Sequence, residues 1–213
     1  MHFLSPLLEN YIAQNSESEP AVLQELTRET HLKVIQPRMI TGHFQGRVLS
    51  MLSKLLAPKN ILEIGTYTGY SAICLAEGLV EYGELHTIEV NEELNTMQRK
   101  YFEKSGFGEQ IIQHCGDALE IIPKLEKSFD LVFIDAQKVQ YDAYFETAIK
   151  KTRTGGVILS DNVLWSGKVV EPLVPSDKAT ASLLAYNKKL KEDSRVETVL
   201  LPIRDGLTMS RVL

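Results

Sequence analysis

Residues 60–71 (Asn60-Ile61-Leu62-Glu63-Ile64-Gly65-Thr66-Tyr67-Thr68-Gly69-Tyr70-Ser71) constrain the fold more than any other stretch of the chain. Ile61, Leu62 and Ile64 form a short apolar run, and Gly65 and Gly69 break it. Tyr70, Ile73, Cys74, Leu75 and Leu79 then follow at a spacing compatible with a helix. The pattern predicts a buried parallel strand, a tight glycine turn and a helix. Such a turn brings free backbone N–H groups and a helix N-terminus up to a ligand.

The spacing is Glu-x-Gly-x-x-x-Gly, not the Gly-x-Gly-x-x-Gly of a dinucleotide site, where the second glycine lets the backbone approach a pyrophosphate. Thr66 and Tyr67 occupy that space instead, and Glu63 at the strand end repels a phosphate but welcomes a cation. A ligand carrying positive charge is therefore expected, and S-adenosylmethionine carries both a sulfonium and an ammonium. The competing reading is a strand-turn-helix with no ligand.

From residue 60 onward, strands and helices alternate. Further strands are predicted at 84–89, 110–115, 129–134, 155–160, 195–201 and 207–212, with a helix over 177–193. Asn91 is placed to cap the helix after the second strand, with Glu92 and Glu93 in its first turn. Residues 3–57 read as helices broken at 16–20 and at Gln36-Pro37. The first carries Leu4, Leu7, Leu8, Tyr11 and Ile12, and Pro20 suits the first turn of the second. In the third, Phe44, Val48, Leu49, Met51, Leu52, Leu55 and Leu56 form a broad face expected to pack on the sheet, and Pro58 ends it. The expected architecture is a single doubly wound α/β domain over 1–213, with a helical cap at 1–57 and a core at 58–213.

A length of 213 residues, 44% hydrophobic and 24% charged, suits one soluble domain with a sizeable core. The net charge of −5 gives no general reason to bind nucleic acid. No stretch approaches the roughly 18 apolar residues of a membrane span. The N-terminus lacks the pattern of a signal peptide, so a cytoplasmic location is expected. Cys74 and Cys115 sit in apolar segments and read as buried, reduced thiols rather than a disulfide.

In open parallel sheets, ligands bind beyond the carboxyl ends of the strands. Here those ends are Glu63/Gly65, Glu89, Asp117, Asp135 and Asp161-Asn162, all polar and all expected at one sheet edge. Glu89, 24 residues after Gly65, is near the distance at which an acid meets a ribose hydroxyl pair. Asp117 could accept from an exocyclic amine, while the small Ala118 leaves room for a flat ring. Asp135, Asp161 and Asn162 supply two carboxylates and an amide carbonyl, hard oxygen donors suited to Mg²⁺ or Ca²⁺. An Asx turn at each strand end is the plainer alternative. Lys138 stands three residues past Asp135; the like charge of a dication there would favour its neutral form, leaving it able to act as general base. Trp165, the only tryptophan, either walls a flat substrate or packs in the core.

The motifs Leu-Glu-Ile-Gly-x-x-x-Gly-Tyr-Ser (62–71), Phe-Ile-Asp-Ala-x-Lys (133–138), Ser-Asp-Asn-Val-Leu-Trp-x-Gly (160–167) and Asp-Gly-Leu (205–207) resemble those of the cation-dependent class I O-methyltransferases. That group includes the catechol and caffeoyl-CoA O-methyltransferases and small bacterial relatives, and the match runs from about Met39 to the C-terminus. The resemblance implies a seven-stranded sheet with its last strand antiparallel, S-adenosylmethionine as methyl donor, and a homodimer. It implies that Thr41, Glu63, Gly65 and Ser71 hold the methionine end, Glu89 the ribose, and Asp117 and Ala118 the adenine side. Asp135, Asp161 and Asn162 would bind a divalent cation, with Mg²⁺ first and Mn²⁺ or Ca²⁺ open. Lys138 would take the proton from a catechol hydroxyl, whose oxygen then attacks the methyl group in line.

The chain departs from the caffeoyl-CoA pattern at Gln137, where an acid is common, and at 169–180, which lacks the arginines and tyrosines expected to grip CoA phosphates. These departures favour a small free catechol. A second reading places the same chemistry on a hydroxylated uridine of tRNA, with Lys33, Arg38, Lys138, Lys150, Lys151, Arg153 and Lys168 as a basic apron. The acidic balance argues against it. A third is a non-catalytic nucleotide-binding protein on the same fold.

Overall fold

A computed structural model describes residues 5–213, so the expectations placed on the first four residues, Leu4 among them, lie outside the described part. Three helices come first: α1 (Pro6–Gln14), α2 (Ala21–Lys33) and α3 (His43–Leu56). Pro20 sits just before α2 rather than inside its first turn, and a 3-10 turn at Pro37–Met39 fills the gap opened by Gln36-Pro37. Ala57, in the left-handed region at φ 45°, ends α3 directly before Pro58.

The core then alternates β1 (Asn60–Ile64), α4 (Tyr70–Ala76), β2 (Glu84–Glu89), α5 (Asn95–Lys104), β3 (Ile111–Cys115), α6 (Ala118–Ile121), β4 (Phe129–Ile134), α7 (Tyr141–Ile149) and β5 (Thr152–Asp161). It closes with α8 (Lys178–Glu192), β6 (Val196–Leu201) and β7 (Leu207–Val212). Asn91 caps as expected, its Oδ1 accepting the Glu93 N–H at 3.1 Å, but the turn it starts is a 3-10 turn running into α5. Only β5 is clearly longer than its apolar run, because Thr152 already pairs with Phe129 across a register shift.

The strands order as β3-β2-β1-β4-β5-β7-β6 in one seven-stranded sheet. β1 to β5 pair in parallel, while the last strand, β7, lies antiparallel to both β5 and β6. Side chains alternate across the strands. Ile61, Leu85, Leu131 and Leu159 therefore face a core built with α2 to α5, and Leu62, Ile64, Ile88 and Val132 face one built with α6 to α8. The chain order reverses between β1 and β4, and this switch point opens the crevice that ligands use in doubly wound sheets.

Two expectations are corrected. α3 turns only part of its broad apolar face, Leu49, Leu52 and Leu56, to the core that holds the strands. It buries Gln45, Gly46, Leu49, Ser50 and Ser53 and leaves Met51 and Leu55 57% and 76% exposed. Small residues let α3 press against α4: a Cβ on Gly46 would lie 2.6 Å from the Tyr70 ring, and Ser53 Oγ donates to the Leu75 carbonyl at 2.6 Å. The cysteines are both free, but only Cys74 is buried. Cys115 is exposed, because it ends β3, the edge strand.

Candidate functional site

Beyond β1 the chain threads between β2 and β4. Gly65 (φ 100°) donates its N–H to the Ile88 carbonyl at 3.0 Å, and an added Cβ would sit 2.1 Å from the Asp135 carbonyl oxygen. Only glycine fits there, both for the close approach and for the dihedral. Tyr67 turns its N–H to Glu89 Oε2 at 2.7 Å, and Asn91 N–H meets Glu89 Oε1 at 3.0 Å. Two backbone donors thus fix a carboxylate at the cleft edge. Asp117 spends Oδ1 on capping α6 through the Leu119 N–H at 2.8 Å, and Ala118 is buried beside it.

Glu63 and Ser71 lie inside the wall of the crevice. Glu63 is fully buried, with Oε2 accepting from Thr87 Oγ1 at 2.5 Å and Oε1 without a hydrogen-bond partner. Burial pushes its carboxyl up to about 8. The charges of Asp135 and Glu89 add to that, and the nearby Ser71 and Thr87 hydroxyls offset it only in part. A buried acid with a spare oxygen is suited to an ammonium donor. Thr41 is also buried and lines the cleft.

The ends of β4 and β5 bring Asp135, Lys138, Asp161 and Asn162 to the same cleft. Lys138 Nζ lies 2.8 Å from Asp135 Oδ1 and donates to Tyr141 Oη at 2.5 Å, and Tyr141 donates onward to the Asp161 carbonyl at 2.9 Å. The lysine is buried rather than a free surface side chain. Burial and the Asp135 charge raise the Asp161 carboxyl well above the carboxylate range, offset in part by Lys138, Gln45 and the Asn162 N–H. Both aspartates line the one cleft, where the Lys138 ammonium already faces Asp135. Among the described residues no group of three or more His, Cys, Asp and Glu side chains could hold a metal, so a metal here depends on the Asn162 amide as third donor. That mixed set fits a hard dication completed by water.

Asn162, Trp165 and Ser166 all adopt left-handed backbone, as do Tyr67 and Arg204, which also line the cleft. Such non-glycine conformations cluster where surrounding structure holds them for function. Trp165 packs against the α6–α8 core and also lines the cleft, with its buried Nε1 unpartnered. The cleft measures about 2250 Å³, several times a typical small-molecule pocket of about 300–1,000 Å³. It has room for a nucleoside ligand beside an acceptor.

Four participants escaped the sequence reading: Thr87 under Glu63, Tyr141 under Lys138, and the pair Gln45 and Arg204. Tyr141 alone left a local signal, three residues beyond Lys138 on a helical turn.

An O-methyltransferase family model matches residues 13–213. The chain is 36% identical to the caffeoyl-CoA O-methyltransferase of Petroselinum crispum, over 97% of this chain and 91% of that one. It superposes with a TM-score of 0.90 and 31% identity on the O-methyltransferase TomG from Streptomyces achromogenes, involved in tomaymycin synthesis and solved with S-adenosylmethionine, covering 97% and 96% of the two chains. The Bacillus cereus O-methyltransferase solved with S-adenosylhomocysteine gives 0.90 at 29% identity, covering 97% of each. The sequence match over nearly the whole length and the shared fold lead to one conclusion: the chain belongs to the O-methyltransferase family.

Proposed function

We propose that this chain uses S-adenosylmethionine and a divalent cation to methylate one hydroxyl of a catechol-like aromatic. The observation that carries the proposal is the gathering of Asp135, Asp161, Asn162 and Lys138 in the crevice that also holds Glu89 and Asp117. Bound together, the two groups would supply an electrophilic methyl and a positive charge favouring a phenolate. Asp135, Asp161 and Asn162 would hold the cation, with Mg²⁺ the first choice. Glu63 offers its unpartnered oxygen to the amino acid end of the methyl donor, helped by Thr41, Gly65 and Ser71. Glu89 would take the ribose, and Asp117 and Ala118 the adenine side.

Lys138 is placed to receive the acceptor's proton at Nζ. Asp135 and Tyr141 fix that atom in place, and the neutral Tyr141 hydroxyl, held protonated by burial, keeps it aimed. Trp165 would wall the ring. Holding the hydroxyl and the methyl at attack distance supplies much of the rate. We read the assembly as a homodimer, because α3 presents Phe44, Met51 and Leu55 to the outside. A thioester acceptor is the second reading, favoured by the caffeoyl-CoA name of the Petroselinum relative and by the cleft's size.

The test is methyl transfer to caffeate or catechol with Mg²⁺, with EDTA, and with Asp161→Ala. Turnover with Mg²⁺ alone that disappears in the other two is expected. Turnover surviving EDTA would overturn the metal assignment. A protein that binds S-adenosylmethionine yet turns over neither diol would overturn the small acceptor, and caffeoyl-CoA would be assayed next.

A further inference from the structure

Glu63 and Thr87 stand opposite each other in the parallel pairing of β1 with β2, so their side chains leave the sheet on the same face. Thr87 Oγ1 donates to Glu63 Oε2 at 2.5 Å, and Thr66 Oγ1 lies 2.5 Å from Thr87 Oγ1. Glu63 and Thr87 are fully buried, and Thr66 is 1% exposed. Three oxygens from β1, β2 and the glycine turn thus meet out of water, directly behind the crevice.

A hydroxyl has a single hydrogen to give. Thr87 spends its own on Glu63, so the hydrogen between the two threonines must come from Thr66. Both O–H groups therefore run one way, from Thr66 through Thr87 to Glu63. Buried hydrogen bonds in series polarise and strengthen one another. The chain ends on Oε2 alone, and the buried Oε1 has no partner. Its links are stiff: Thr87 is a β-branched residue inside a strand, and Thr66 is tied by its own N–H to the Ile88 carbonyl at 3.3 Å. Held by one oxygen, the carboxyl presents the other in a fixed direction.

We propose that Thr87, backed by Thr66, is a positioning residue that holds Glu63 Oε2 so that Oε1 meets the ammonium of the methyl donor. The proposal rests on the reading of Glu63 as the partner of the donor's amino acid end. Hydroxyl hydrogens aimed at Oε2 also favour the ionised carboxylate, the form an ammonium pairs with. Both threonines act through Glu63, and neither touches the reacting atoms.

The experiment is calorimetric titration of two ligands, S-adenosylmethionine and methylthioadenosine, which keeps the nucleoside but lacks the amino acid end. The proteins are wild type, Glu63→Gln, Thr87→Val, Thr87→Ser and Thr66→Val. Thr87→Val should bind S-adenosylmethionine roughly 10-fold more weakly, with methylthioadenosine within about twofold of wild type. Thr87→Ser, which keeps the hydroxyl, should restore the lost affinity. Added to Glu63→Gln, Thr87→Val should cost nothing more, because the group it positions is already gone. Thr66→Val should show a smaller loss in the same direction, and it carries the test where Thr87→Val does not fold. Equal S-adenosylmethionine affinities in wild type and the threonine variants overturn the proposal. So does a parallel loss of both ligands, which marks a merely structural role. A Glu63→Gln that binds S-adenosylmethionine like wild type overturns the reading of Glu63 itself, and the proposal falls with it.

Discussion

Glu63 lies wholly out of water with one oxygen on Thr87 and the other unpartnered, and its carboxyl is pushed up from 4.5 to about 8. The raised value means the protein alone gains stability from this group below about pH 4.5 and loses that contribution as the pH climbs toward 8. An ammonium brought to Oε1 reverses the preference, so binding S-adenosylmethionine near pH 7 releases a proton. Calorimetry in two buffers of different ionisation enthalpy should show that release in wild type and not in Glu63→Gln, whose affinity falls roughly 10- to 100-fold. Heat independent of buffer in the wild type would refute it. Glu63, Glu89, Asp117, Asp135 and Asp161 were legible because a strand end is both a sequence signal and a place. Thr87 was not, since its meaning depends on Glu63, 24 residues away across the strand pair.

At the scale of elements, α3 shows where pattern reading runs out. Its apolar spacing foretold a helix, and one forms, but the choice of buried face turned on Gly46, Ser50 and Ser53, whose small size matters only once α4 is opposite. The joint is completed by Glu77 just past α4, which takes Arg47 at 2.6 and 3.0 Å, Ser50 at 2.7 Å and Lys54 at 2.8 Å. Burial alone would raise the Glu77 carboxyl, but the Arg47, Lys54 and Ser50 hydrogen bonds outweigh it and hold it down at about 2. Its contribution is therefore present above about pH 4.5 and lost as the pH falls toward 2. Glu77→Ala leaves Arg47 half-buried and unpaired there, so a loss of about 3 kcal/mol is expected. For a chain of this length that is a melting point lower by roughly 6–12 °C at pH 7. The gap between variant and wild type should narrow in acid; an equal gap at pH 3 would show that packing, not charge, makes the joint.

Across the whole molecule, the same turn of α3 that buries its small residues sends an apolar stripe outward. Phe44, Val48, Met51 and Leu55 follow one another by four, three and four residues, the spacing of a seam between helices. Met51 and Leu55 are well exposed, Phe44 is at the margin, and Val48 is half-buried. A monomer gains nothing from that stripe, whereas a second copy meeting it about a two-fold axis would cover it with itself. The helix is 14 residues, about 21 Å at 1.5 Å per residue. Paired alone it would fall short of the roughly 1,200–2,000 Å² a stable interface buries, so neighbouring surface must join it. Light scattering should give wild type a mass near twice the 24.0 kDa chain. Met51→Glu combined with Leu55→Glu should give a single-chain mass, because the two carboxylates would be buried unpaired against their symmetry mates. Both side chains are exposed in the single chain, so the variant should keep its helical circular dichroism and bind S-adenosylmethionine. A wild type that is already monomeric at micromolar concentration would refute the dimer, and a doubly charged variant that remains dimeric would move the interface to another face.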